Sequence, residues 1–139
     1  MQRDEIIAFM KENPLFQLAT IDADNPRVRS IMMYSIDDEG IVFSTDSTKD
    51  LHRQLLANPR VELCFVNSQG NSQVRISGEA ELFADQKLKE EIVEAYPFLK
   101  PWVERSGWEV MATYRVKKGV ATFWTMEDAF AAKKYVKLF

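Results

Sequence analysis

One cysteine and one histidine are all that this chain of 139 residues offers to soft-metal chemistry. Cys64 alone can form no internal disulfide, and His52 alone leaves a zinc site short of its usual nitrogen and sulfur ligands. No stretch approaches the roughly 20 apolar residues that span a bilayer. The opening MQRDEIIAFMKE mixes acids and bases where a secretory signal needs an apolar run, so no membrane is expected and the address is cytoplasmic. Positive charge is also scarce. With 18 Lys and Arg against 21 Asp and Glu, a net charge of −3 and a pI near 5.3, the chain has no field to hold a polyanion, and nucleic acid is not an expected partner. There is no Gly-rich dinucleotide loop, no P-loop and no Cys-x-x-Cys pair. A Ser-His-Asp triad would have to use His52, which sits mid-helix beside Arg53 and is poorly placed for it.

What is present is a chain with 46% hydrophobic residues, enough for one domain over residues 1–139 with its own core. Arg3 to Glu12 sets Ile6, Ile7, Phe9 and Met10 on one side of a helical wheel, and Asn13-Pro14 ends the pattern. From Leu15 the grammar turns to short strands: LFQLATI, RVRSIMMYSI and IVFST, separated by DADNP and DDEG. Ser47 to Ala57 interrupts with Leu51 and Leu55 at i,i+4, a short helix stopped by Asn58-Pro59. VELCFV follows. After the turn NSQGN comes the clearest alternation, Val74, Ile76, Gly78, Ala80 and Leu82 against polar neighbours. Asp85 can cap a helix closed by Pro97 and Pro101, before two last strands, WEVMATYRV and GVATFW. This order predicts a mainly β fold, an antiparallel six- to seven-stranded barrel with short flanking helices.

Two segments can carry chemistry. In Phe43-Ser44-Thr45-Asp46-Ser47-Thr48-Lys49-Asp50 a strand ends in hydroxyls and passes into a helix beginning near Lys49, and a helix start with hydroxyls and one lysine suits a phosphate. Ser47 or Thr48 serves equally as a simple N-cap, and Asp46 and Asp50 disfavour an anion unless they point away. In Arg27-Val28-Arg29-Ser30 the two arginines share one face of a strand, where they can clamp a phosphate or carboxylate or pair with nearby acids. Trp102, Trp108, Tyr114, Phe123 and Trp124 gather late in the chain and read mainly as core, with flavin stacking or a dimer contact as the other uses. Cys64 reads as a small buried hydrophobe, and Met32 and Met33 as core or interface filler.

FQLATIDADNPRVRSI, VFSTDSTKDLHRQLLANPRVELCF, QVRISGEAEL and GVATFW, in this order, resemble the pyridoxamine 5'-phosphate oxidase-like split barrels that bind flavin mononucleotide (FMN), over nearly the whole chain. The resemblance implies the FMN-binding split β-barrel fold and a homodimer whose two FMN sites are each built from both chains. It implies the flavin ring along Arg27, Val28, Arg29 and Ser30, and the phosphate near Thr45, Ser47, Thr48 and Lys49. It further implies an FMN-dependent oxidoreductase acting on a small molecule, or a non-catalytic flavin module of the same fold. A deazaflavin stays open as cofactor, whereas haem would want an axial histidine and only His52 is available. Ser47-Thr48-Lys49 replaces the Ser-Arg-Lys run of the authentic oxidases, and their Arg-and-His-bearing C-terminal segment has no counterpart, so vitamin B6 oxidation is not expected.

Overall fold

The computed structural model describes residues 1–139. Helix α1 (Arg3–Glu12) forms where its wheel predicts, with Ile6 and Met10 buried and a capping box between Gln2 and Glu5. Eight strands follow around and between further helices: β1 (Leu15–Asp22), β2 (Asn25–Met32), β3 (Ser35–Asp37), β4 (Gly40–Asp46), β5 (Arg60–Val66), β6 (Ser72–Phe83), β7 (Met111–Thr125) and β8 (Tyr135–Lys137). Helix α2 (Asp50–Ala57) links β4 to β5, while α3 (Gln86–Ala95) and α4 (Lys100–Ser106) lie between β6 and β7. None of these helices is long and apolar enough to cross a membrane.

All pairings are antiparallel, in the order β2-β1-β5-β6-β7-β4-β3, with β8 added to β7. The path therefore begins on β2 and ends on β3, beside β4. The chain joins these two ends at Met33 and Tyr34, whose amides donate to the carbonyls of Pro14 and Val42, both at 2.9 Å. This is a split barrel, closed at that junction. Its core is one cluster of 21 buried residues, with Phe16 edge to face against Phe43 at 5.9 Å and tilted against Phe65 at 5.0 Å between ring centroids. Val74, Ile76 and Ala80 lie inward as their alternation predicts, whereas Leu82 is exposed.

Four expectations are corrected. The two last strands are one, because Lys117-Lys118-Gly119 is a bulge and not a turn. Ser77 pairs with Val120 and Glu79 with Lys117, so Lys118 and Gly119 stand opposite Gly78 alone, and Lys118 takes φ 55°. A Cβ on Gly78 would lie 2.7 Å from the Lys117 carbonyl oxygen, so the crossing requires glycine. Pro101 opens a helix instead of closing one, since proline suits a first turn. RVRSIMMYSI is two strands, β2 and β3, parted at Met33 and Tyr34, and the tail YVKLF holds β8, which together bring the count to eight; Phe139 packs against Gly119 and Leu138 donates to its carbonyl at 2.8 Å.

Candidate functional site

The strand path ends on β2 and β3, and β3 pairs only Gly40 to Val42 of β4, so the rest of β4 presents a free edge towards β2 at the mouth of the split, with the start of α2 beside it. A cleft of about 570 Å³ opens there between Arg29 and Ser30 of β2, Thr45 of β4, and Thr48, Lys49 and Leu51 at the helix start. Five of the eight residues expected at the site thus meet in one cavity from three separate elements. Arg27, Val28 and Ser47 do not line it.

The reasons are local. Arg27 shares the face of Arg29, as strand alternation requires, but its guanidinium lies 3.5 Å from Asp22, which also binds Arg53 at 3.2 Å. Arg53 and then Arg27 hold the Asp22 carboxyl below its ordinary range. Val28 faces the other way and is 68% exposed, the least covered hydrophobic residue of the sheet strands beside the cleft. Ser47 donates its hydroxyl to the Glu109 carbonyl at 3.1 Å. Thr48 donates both its amide and its hydroxyl to Asp46, at 2.8 and 2.7 Å, so the Asp46 carboxylate is folded into its own turn and its pKa is lowered by those two bonds. Neither hydroxyl caps α2. Lys49 is the N-cap, without a side-chain bond, and the helix begins at Asp50.

Arg29 carries the electrostatics. Its guanidinium donates to the Thr20 hydroxyl and to the Gln54 side-chain carbonyl, each at 2.6 Å, and Thr20 donates to the same Gln54 oxygen at 2.6 Å. Thr20 and Gln54 are buried, at 2% and 3% exposure. No carboxylate lies within salt-bridge distance of Arg29 or of Lys49, although Arg3, Arg53, Arg75 and Lys117 all have one. Burial, then the neighbouring Arg27, lowers the Arg29 pKa, with Asp50 acting against them. A cation fixed by neutral acceptors keeps its charge uncompensated, which is the condition for attracting an anion. Asp50 shares the cleft wall, and its charge is offset by Arg53 at 3.7 Å.

Thr20 and Gln54 were not singled out from sequence. Gln54 was visible as a polar residue between Leu51 and Leu55 on the buried stripe of α2, a placement that needs a partner. The late aromatics do not reach the cleft: Tyr114 is core, Phe123 packs on Phe9 at 5.9 Å, and Trp102 and Trp108 pack around a satellite core of Ile92, Val103 and Met111. His52 is committed through Nδ1 to the Tyr114 hydroxyl at 2.7 Å, and burial pushes that phenol up to about 12. Cys64 is half-buried, and burial raises its thiol pKa, as befits a structural side chain.

A family model described as pyridoxamine 5'-phosphate oxidase matches residues 2–118. The pyridoxine/pyridoxamine 5'-phosphate oxidase of Cupriavidus taiwanensis is 30% identical over 131 residues, covering 94% of this chain and 59% of that protein. This chain spans little more than half the length of such curated relatives. Among solved structures, a nimc/nima family protein of Clostridium acetobutylicum superposes with a TM-score of 0.76 at 27% identity, covering 96% of this chain and 90% of the other. A heme binding protein of Mycobacterium smegmatis shares the fold, with a TM-score of 0.71 at 13% identity over 98% of this chain and 57% of its own.

Proposed function

Since the chain belongs to the pyridoxamine 5'-phosphate oxidase family, we propose that the mouth of its split barrel holds FMN and that the protein is a flavin-dependent oxidoreductase for a small molecule. The observation that carries this reading is the convergence of Arg29, Thr45 and Lys49 in one cleft, two of them cations with no acid paired to them. Lys49 and Thr45 would meet the phosphate beside the first amides of α2, and Arg29 would face the anionic side of the ligand. The ring would run along β2, whose outer backbone edge pairs with no strand. Bound FMN supplies the electron-transfer chemistry. The chain's own share is to bind, to orient and to screen the ring from water.

Haem suits the site less well. His52 is the only histidine, and one of its ring nitrogens is already taken by Tyr114.

The partner in this reading is a second copy of the chain. The outward face of β1, β2 and β5 exposes Leu15, Val28, Met32 and Val66 at 41 to 68%, an apolar patch next to the open edge of β2.

Incubation with FMN should give a bound-flavin absorption spectrum and a raised melting temperature, since a ligand at about 100 times its Kd stabilises the folded state by about 2.7 kcal/mol. If saturating FMN produces neither effect, the proposal fails. Reduction of the bound flavin by NADH or NADPH, followed by reoxidation with an acceptor, would separate an enzyme from a flavin carrier.

A further inference from the structure

The cleft at the start of α2 does not end at β2. Ser30 and Ile31 line it and also line a second cavity of about 230 Å³, closed on its far side by the end of α3 and the turn that follows. Met32 and Ser44 join them on the strand side, and Tyr34, Ile92, Tyr96, Phe98 and Leu99 complete the wall. None of the nine lining residues is charged, whereas the adjoining cleft holds Arg29, Lys49 and Asp50. Two cavities that share two residues therefore differ in what they can solvate: one suits an anion, the other an uncharged surface.

The second cavity is built from aromatic rings on a fixed support. Tyr34 and Tyr96 meet edge to face with centroids 6.4 Å apart, and Tyr96 and Phe98 do the same at 6.2 Å. Phe98 is 76% exposed at the rim. A lone exposed phenylalanine would mean little, but this one extends a ring cluster that already borders a cavity. Its support is rigid: Asp85 accepts from the Leu88 amide at 3.1 Å to cap α3, and Ile92 is anchored by Val103 and Met111 in the satellite core. Burial, and then Glu91 and Tyr96, raise the pKa of Tyr34.

We propose that this cavity is a subsite for an uncharged aromatic small molecule, held between Tyr34, Tyr96 and Phe98 against β2. Its role as the substrate's seat beside the flavin rests on the FMN reading above; binding by itself does not. The lining offers no cation, so a phosphate or carboxylate in this cavity would lose its hydration with no partner in return. The substrate class narrows accordingly, to compounds with no anionic group on the ring that enters here.

Benzamide, benzoate and benzamidinium share a shape and differ in charge, and they are the probes. Their affinities would be measured by saturation-transfer NMR on the full chain with and without FMN, while FMN affinity is read from flavin absorption on the same samples. Benzamide should bind at least about tenfold more tightly than either ion, and Phe98→Ala, at an exposed position, should weaken it severalfold with FMN affinity unchanged. Equal binding of the three probes, no binding of benzamide, or indifference to both Phe98→Ala and Tyr96→Ala would overturn the subsite. Benzamide binding without FMN binding would leave the subsite standing and remove the flavin reading; FMN binding without benzamide would do the reverse.

Discussion

Arg29 and Lys49 line the cleft in different ways. Arg29 is locked by Thr20 and Gln54, so its guanidinium is aimed before any ligand arrives and loses little freedom on binding. Lys49 is exposed and unattached, and would close on a phosphate only when one is present. Lys49→Ala should therefore weaken FMN by about tenfold, the equivalent of about 1.4 kcal/mol, and riboflavin hardly at all, because only FMN carries the phosphate. Fluorescence titration of both flavins checks this, and an equal loss for both would move the phosphate elsewhere. Lys49, Thr45 and Arg29 were legible in sequence as residue types at suggestive spacings. The bonds that tie up Ser47, Thr48 and Arg27 were not, since each depends on a partner distant in sequence or on a turn whose side-chain bonds spacing does not specify.

At the scale of elements, local pattern is most legible where a long element sets one face against the core. Strand β6 is the clearest case, with its period of two, and α1 follows with its apolar stripe. Pattern failed where tertiary context overrides a local signal. Lys118-Gly119 has turn composition, yet the flanking residues of β7 stay paired to β6, and the extra residues are extruded. That bulge rests on Gly78. Gly78→Ala would drive a methyl group against the Lys117 carbonyl and Val116 Cγ1, 2.9 Å away, and should destabilise the fold by about 1–3 kcal/mol. Chemical denaturation would show a lower midpoint with an unchanged slope; an unchanged midpoint would mean that the two strands part without cost.

For the whole molecule, the sheet path explains why the site sits where it does. A sheet that closes completely has no edges, whereas this one leaves β2 and β4 facing each other across a gap that α2 lies over. The same openness exposes the outer face of β2, and in the dimer proposed above a second copy covers it. Val28→Lys would set like charges against each other across such an interface. Sedimentation should then show the wild-type dimer shifting to monomer, with FMN affinity falling alongside. A wild-type monomer that binds FMN would place the whole flavin site within one chain.

The segment from α3 to the start of β7 has its own small core of Ile92, Val103 and Met111, separate from the 21-residue cluster of the barrel. It leaves the sheet at the end of β6 and returns at the start of β7, where Met111 pairs with Asp46 and Ser47 donates to the Glu109 and Val110 carbonyls, so its sequence can vary most between those anchors. A designer who grafts a different pair of helices there would keep the barrel, and would keep the cleft at α2 provided that the carbonyls of Glu109 and Val110 still receive Ser47.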